Sequence, residues 1–179
     1  PNIHSFPTRR SSELDKKEAE EVKVIVANRS AKDVESIRNH DQEPFYAIRK
    51  FCEKKGLIFH DDEFDQIIDE SVPIISHFKK HFNRDRPVEV DKTINTLPSK
   101  TNKTKSYPSG HAAQSRLIAR YVAGKFPQHE RELIKAGDEG GYGRVKAGFH
   151  YPSDYEAGNL LGEKMYVFMN KADYKKENE

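Results

Sequence analysis

The chain has one cysteine, no tryptophan, no apolar run longer than five residues and no marked excess of either charge. Each shortage excludes something. Cys52 alone cannot form an internal disulfide, so the fold must rest on its core and the redox compartment stays open. Runs such as Val24 to Ala27 and Phe45 to Ile48 fall far short of the roughly 18 to 20 apolar residues that a spanning helix needs. The segment therefore reads as soluble, in cytoplasm or periplasm. With 31 Lys plus Arg against 29 Asp plus Glu, it lacks the cationic surplus by which a nucleic-acid binder displaces phosphate counterions. Its 179 residues suit one domain, and Phe, Tyr, Ile and Leu recur often enough to keep 35% apolar content out of the disordered range.

What is present begins with an oddity. His4 to Ser12 (His-Ser-Phe-Pro-Thr-Arg-Arg-Ser-Ser) resembles a translated reading frame of a short-read sequencing adapter. Residues 1–13 are accordingly expected to be non-native or disordered, with the native chain starting near Leu14. The domain is expected over 14–170, and 171–179 reads as a charged, frayed tail.

Helical spacing dominates the domain. Ala19, Val22, Ile25 and Val26 mark the apolar face of a helix from Leu14 to Asn28, and a short turn of helix follows over Asp33 to Asn39. Glu43-Pro44 opens a helix over Phe45 to Lys54 that stops at Gly56. Phe64, Ile67, Ile68, Val72, Ile75, Phe78 and Phe82 form the stripe of a longer helix, capped by Asp61 or Asp62, broken or kinked at Pro73 and ending near Asn83. Thr93 to Ser106 reads as a polar loop. Further helices are expected from Gly110 to Ala123, Gln128 to Gly137 and Pro152 to Asn170. No segment makes a convincing strand, so the fold class is an all-α bundle.

Three clusters carry chemistry. Lys79 and Arg86 lie seven residues apart, close to two helical turns, so both cations can reach one side of a helix end and hold an oxyanion. Tyr107-Pro108-Ser109-Gly110-His111 precedes an Ala-rich helix: Ser109 can cap it, Gly110 admits a ligand close to the backbone, and His111 can move a proton beside that anion site. Arg144, His150 and Asp154 form the third. Pro152 suits a first helical turn, which lets Asp154 fold back four positions onto His150, fix its tautomer and leave the other ring nitrogen free to attack.

In this order the clusters resemble the signature of the type 2 phosphatidic acid phosphatase (PAP2) superfamily, which includes bacterial class A acid phosphatases and vanadium haloperoxidases. The chain is most similar to the soluble acid-phosphatase branch or short phage-type relatives. The resemblance implies a helical bundle and a phosphatase that needs no metal or other cofactor. It implies that His150 attacks phosphorus to form a phosphohistidine while Asp154 orients it. His111, charged in the first step, protonates the leaving alcohol and later activates water. Lys79, Arg86, Ser109, the Gly110 N–H and Arg144 hold the phosphoryl oxygens, neutralising charge that phosphoryl transfer concentrates there. Vanadate is expected to inhibit, and it becomes a cofactor only if the chain is a haloperoxidase; a non-catalytic phosphate-binding module is the other alternative. The expected partner is a phosphorylated small molecule or lipid, with no nucleic acid.

One departure stands out. The family usually has Ser before the third-motif Arg, whereas this chain has Gly143, and flexibility is expected around Gly140, Gly141 and Gly143. His60-Asp61-Asp62-Glu63 reads as a helix start with solvated acids, not a metal site. His40, His77, His81 and His129 read as surface residues, and Tyr107, Phe149 and Tyr151 as packing or entrance groups.

Overall fold

The computed structural model describes residues 12–176, and all regular elements among them are helical. Of the expected N-terminal segment, residues 1–11 lie outside the described part, while Ser12 and Glu13 open helix α1, Ser12–Ala27. There follow α2 (Ala31–His40), α3 (Tyr46–Lys55), α4 (Asp61–Phe82), the single turn α5 (Pro87–Val90), α6 (Gly110–Lys125), a 3-10 turn at Pro127–His129, α7 (Glu130–Lys146) and α8 (Pro152–Lys176).

Local chemistry sets most of these limits. Ser30 and Asp33 form a capping box that satisfies two orphan donors at the start of α2. Gly56 closes α3 and Asn83 closes α4, both in the left-handed region, which Gly and Asn tolerate best. At the start of α4 the cap position falls on His60, which makes no side-chain cap bond, so the expected Asp cap is one residue out. Pro73 lies inside α4, which continues as one helix past it to Phe82, so the proline does not break the helix.

Helix α6 is the centre of the bundle, packed against α4, α7 and α8. Its Leu117, Ile118 and Val122 meet Phe64, Ile75 and Phe78 of α4, Leu133 of α7, and Leu161 and Met165 of α8 in the main core. A second cluster joins Ala19, Val22 and Val26 of α1 to Ile94, Val145 and Tyr151 and fixes α1 against the end of α7.

The largest correction concerns α7. The glycine-rich stretch expected to be flexible is helical to Lys146, because its glycines are contact points. A Cβ at Gly140 would stand 2.3 Å from the Pro44 carbonyl oxygen, and one at Gly158 of α8 would stand 2.5 Å from the Ser109 carbonyl oxygen. Backbones thus approach more closely than any side chain allows, and tertiary packing outweighs the poor helix propensity of glycine. Gly143 differs, since a Cβ there would meet only Ile37, at 3.6 Å.

Candidate active site

The three clusters meet at one end of the bundle. Lys79 comes from the last turn of α4, Arg86 from the junction before α5, Ser109, Gly110 and His111 from the start of α6, Arg144 from the last turn of α7, and His150 and Asp154 from the entry to α8. Lys79, Arg86, Gly110, His111, Arg144 and His150 line one cleft of about 320 Å³. Ser109 lies buried beside it, its Oγ accepting from the Ala112 N–H at 3.3 Å, so the expected cap is in place. The cap leaves other N–H groups of the α6 N-terminus available to an anion.

His150 is held at both ring nitrogens. Its Nδ1 lies 3.1 Å from Asp154 Oδ2, the same oxygen that accepts from Ser106 Oγ and, at 3.0 Å, from the Tyr151 N–H. A carboxylate can only accept, so Nδ1 carries the proton and Nε2 keeps its lone pair. Nε2 faces Arg86 Nη1 at 3.3 Å. Burial, reinforced by Arg86, Lys79, Arg144 and His111, holds the ring well below the ordinary histidine range, hence neutral and nucleophilic.

The cations are partly committed. Lys79 Nζ donates to the carbonyls of Lys105 at 2.5 Å and Ser106 at 3.4 Å, and burial together with Arg86 pushes its pKa down to about 7. Arg86 spans the carbonyls of Thr104 and Phe149 at 2.7 and 2.9 Å and is pushed down to about 10, by burial first and Arg144 second. Arg144, 2% exposed, gives Nη1 to Asp41 at 2.7 Å and Nη2 to Thr101 and Ser99 at 3.1 and 3.2 Å. Its Nε is buried without a hydrogen-bond partner, a donor left over for an anion. Burial opposes the charge on Asp41, but the Ser99 hydroxyl and Arg144 outweigh it and keep the carboxyl well below its usual range.

His111 is anchored through one ring nitrogen. Its Nε2 reaches the carbonyls of His40 and Asp41 at 3.0 and 2.9 Å, so Nε2 bears the proton and Nδ1 is the nitrogen left to exchange one. Burial and Arg144 push its pKa down to about 3, so the ring is neutral at pH 7 and the charge expected in the first step has to be acquired there. His40 departs from its surface reading: it is buried, bonded through Nδ1 to the Ser36 carbonyl at 2.8 Å and through Nε2 to the Ala47 N–H at 3.2 Å. Asp41, Ser106 and Arg84 join the hydrogen bonds of the site without having been singled out in the sequence. Arg84 stands two places before Arg86, and that Arg-x-Arg-Pro doublet was the available signal; Asp41 had none.

Among the described residues, no group of three or more His, Cys, Asp or Glu side chains is placed to hold a metal ion. In the acidic run at the start of α4, Glu63 is engaged by Tyr121 at 2.7 Å and Lys125 at 2.6 Å. Nor is any helix among the described residues long and apolar enough to cross a membrane.

A helical bundle with two histidines, a buried carboxylate and three cations around one cleft defines a class of oxyanion-handling site. The PAP2 superfamily model matches residues 70–177, more than half of the chain, and the chain belongs to that superfamily. A non-specific acid phosphatase of Salmonella typhi is 38% identical over 87 residues, covering 47% of this chain and 35% of that protein. An acid phosphatase of Zymomonas mobilis subsp. mobilis is 30% identical over 109 residues, covering 59% and 41%. The chain thus spans well under half the length of these curated relatives. The crystal structure of a transmembrane PAP2-type phosphatidylglycerolphosphate phosphatase from Bacillus subtilis superposes with a TM-score of 0.63, covering 93% of this chain and 89% of that one. At 15% identity that likeness speaks for the fold.

Proposed function

We propose that this chain hydrolyses phosphate monoesters through a phosphohistidine, without a metal. The observation that carries the reading is His150, tied through Nδ1 to Asp154 at 3.1 Å, with Nε2 in a cleft that also holds Lys79, Arg86 and Arg144. The relatives named as acid phosphatases support hydrolysis of phosphate esters.

Nε2 attacks phosphorus as the bond to the ester oxygen breaks, and Asp154 offsets the positive charge that develops on the ring. His111 gives a proton to the departing alkoxide. It then takes one from the water that attacks the phosphohistidine, which releases orthophosphate and restores His150. A phosphate dianion beside His111 opposes Arg144 and raises the affinity of the ring for a proton, so substrate binding itself charges the general acid. Lys79, Arg86, the Arg144 Nε, Ser109 and the Gly110 N–H hold the phosphoryl oxygens, and the three cations supply the neutralisation that a metal supplies elsewhere.

The test is hydrolysis of para-nitrophenyl phosphate in excess chelator by wild type and His150→Ala, with vanadate as inhibitor. Turnover in chelator, its loss in the variant and inhibition by vanadate are expected. Chelator-sensitive turnover, or full activity without His150, overturns the proposal. Halide oxidation with vanadate and peroxide would favour the haloperoxidase chemistry, and phosphate binding without turnover a binding module.

A further inference from the structure

The carboxylate behind the nucleophile is held from two sides. Asp154 Oδ2 serves His150, Ser106 and the Tyr151 N–H, while Oδ1 accepts from Arg84 Nη1 at 2.7 Å. Arg84 is 7% exposed, and Nη1 also donates to Ser153 Oγ at 2.8 Å. Its other nitrogens turn to the first helix. Nε and Nη2 donate to Asp15 Oδ1 at 3.0 and 2.7 Å, and Nη2 donates to Glu18 Oε2 at 2.6 Å. Glu18 also accepts from the N–H and hydroxyl of Ser153, at 3.2 and 2.8 Å, and the guanidinium lies over the Tyr151 ring, 3.7 Å from its centroid.

A carboxylate fixed through one oxygen can rotate about its Cβ–Cγ bond. Anchoring Oδ1 sets the plane and aims Oδ2 at Nδ1. Asp15 and Glu18 lie on α1, outside residues 70–177, the span matched by the superfamily model. We propose that Arg84, held by Asp15 and Glu18, is a positioning residue for the His150–Asp154 pair, so that α1 is part of the catalytic apparatus. The proposal rests on His150 being the nucleophile.

The charged and titratable groups facing His150 are Lys79 from α4, Arg86 from the α4–α5 junction, His111 from α6, Arg144 from α7 and Asp154 from α8. Arg84 and Glu18 add a cation and an anion behind that carboxylate, so their removal acts on the ring with opposite signs. Arg84→Gln removes a cation, favours the imidazolium and moves the acid limb of kcat/KM up by about half a pH unit. Glu18→Gln leaves Arg84 less offset and moves the limb down by a similar amount. Substrate ionisation is common to all variants and cancels. In Arg84→Gln kcat falls about tenfold while KM changes less than twofold, as expected for an effect on the nucleophile and not on phosphate binding. Arg84→Lys, which keeps the charge but loses the fork, restores the limb and only part of kcat.

A ring-nitrogen NMR titration of His150 in full-length wild type, Glu18→Gln and Arg84→Gln decides the matter independently of turnover. Opposite shifts support the proposal. An unmoved His150 titration in folded Glu18→Gln overturns it, even where Arg84→Gln does not fold. If wild type does not hydrolyse phosphate esters, the functional reading fails while the titration still answers for Arg84.

Discussion

Lys79 shows how a single residue trades stability for binding. Burial moves its pKa from 10.5 to about 7, so the unfolded chain binds this proton more tightly than the folded one. Below pH 7 the folded protein must hold the buried cation and the cost is full; between pH 7 and 10.5 the folded form sheds the proton and the cost shrinks; above 10.5 it is gone. Lys79→Met is therefore expected to raise stability by about 1–4 kcal/mol below pH 7, with the gain fading as pH rises, while KM for a phosphate ester climbs. Denaturant titrations at pH 6 and pH 10 check the sign, and equal effects at both would contradict it. His111 makes the complementary case. Its pKa of about 3 should rise by more than one unit when phosphate or vanadate occupies the cleft, measurable as a shift in its ring titration. A histidine's position in Ser-Gly-His was legible along the chain; its protonation state was not, because Arg144, 33 residues further on, helps to set it.

At the scale of elements, the glycines of α7 separate packing from flexibility. Gly140→Ala places a methyl 2.3 Å from the Pro44 carbonyl oxygen and 2.8 Å from Ser115 Oγ. It should cost about 1–3 kcal/mol and disturb the turn that carries Asp41, lowering activity with stability. Gly143→Ser, with only Ile37 within reach of its Cβ, should leave activity intact or higher and stabilise α7 by a few tenths of a kcal/mol, up to about 0.5. Thermal melts of the pair give the comparison, and equal losses would refute the contact argument. Helix ends with a cap or stop signal, such as Ser109 and Gly56, were legible because the signal is local. The extent of α7 was not, since a glycine read alone signals freedom whether or not a neighbouring backbone fills the space of its Cβ.

For the whole molecule, the site is a junction that α4, α6, α7, α8 and the α2–α3 turn each complete in part. Asp41 illustrates it: its carboxylate accepts from Arg144 and Ser99 and from the Lys100 N–H, while its carbonyl accepts from His111. A bound oxyanion should consequently stabilise the entire fold. At a vanadate concentration one hundred times its Kd the gain is about 2.7 kcal/mol, read as a rise in Tm that Arg144→Ala abolishes. No rise in wild type would argue that the cleft is not an anion site.

The sequence by itself determined the helical class, most helix starts and stops, and the residues of three motifs, since each depends on neighbours within about two turns of chain. It also carried the pairing of His150 with Asp154, because a four-residue fold-back at a helix start is a local event. Only the tertiary structure decided what those groups are prepared to do. Burial beside cations makes both histidines neutral, Asp41 takes up part of Arg144, and Arg84 links α1 to the carboxylate behind His150. These are effects of desolvation and of charges brought together from distant segments, and neither is written in local sequence.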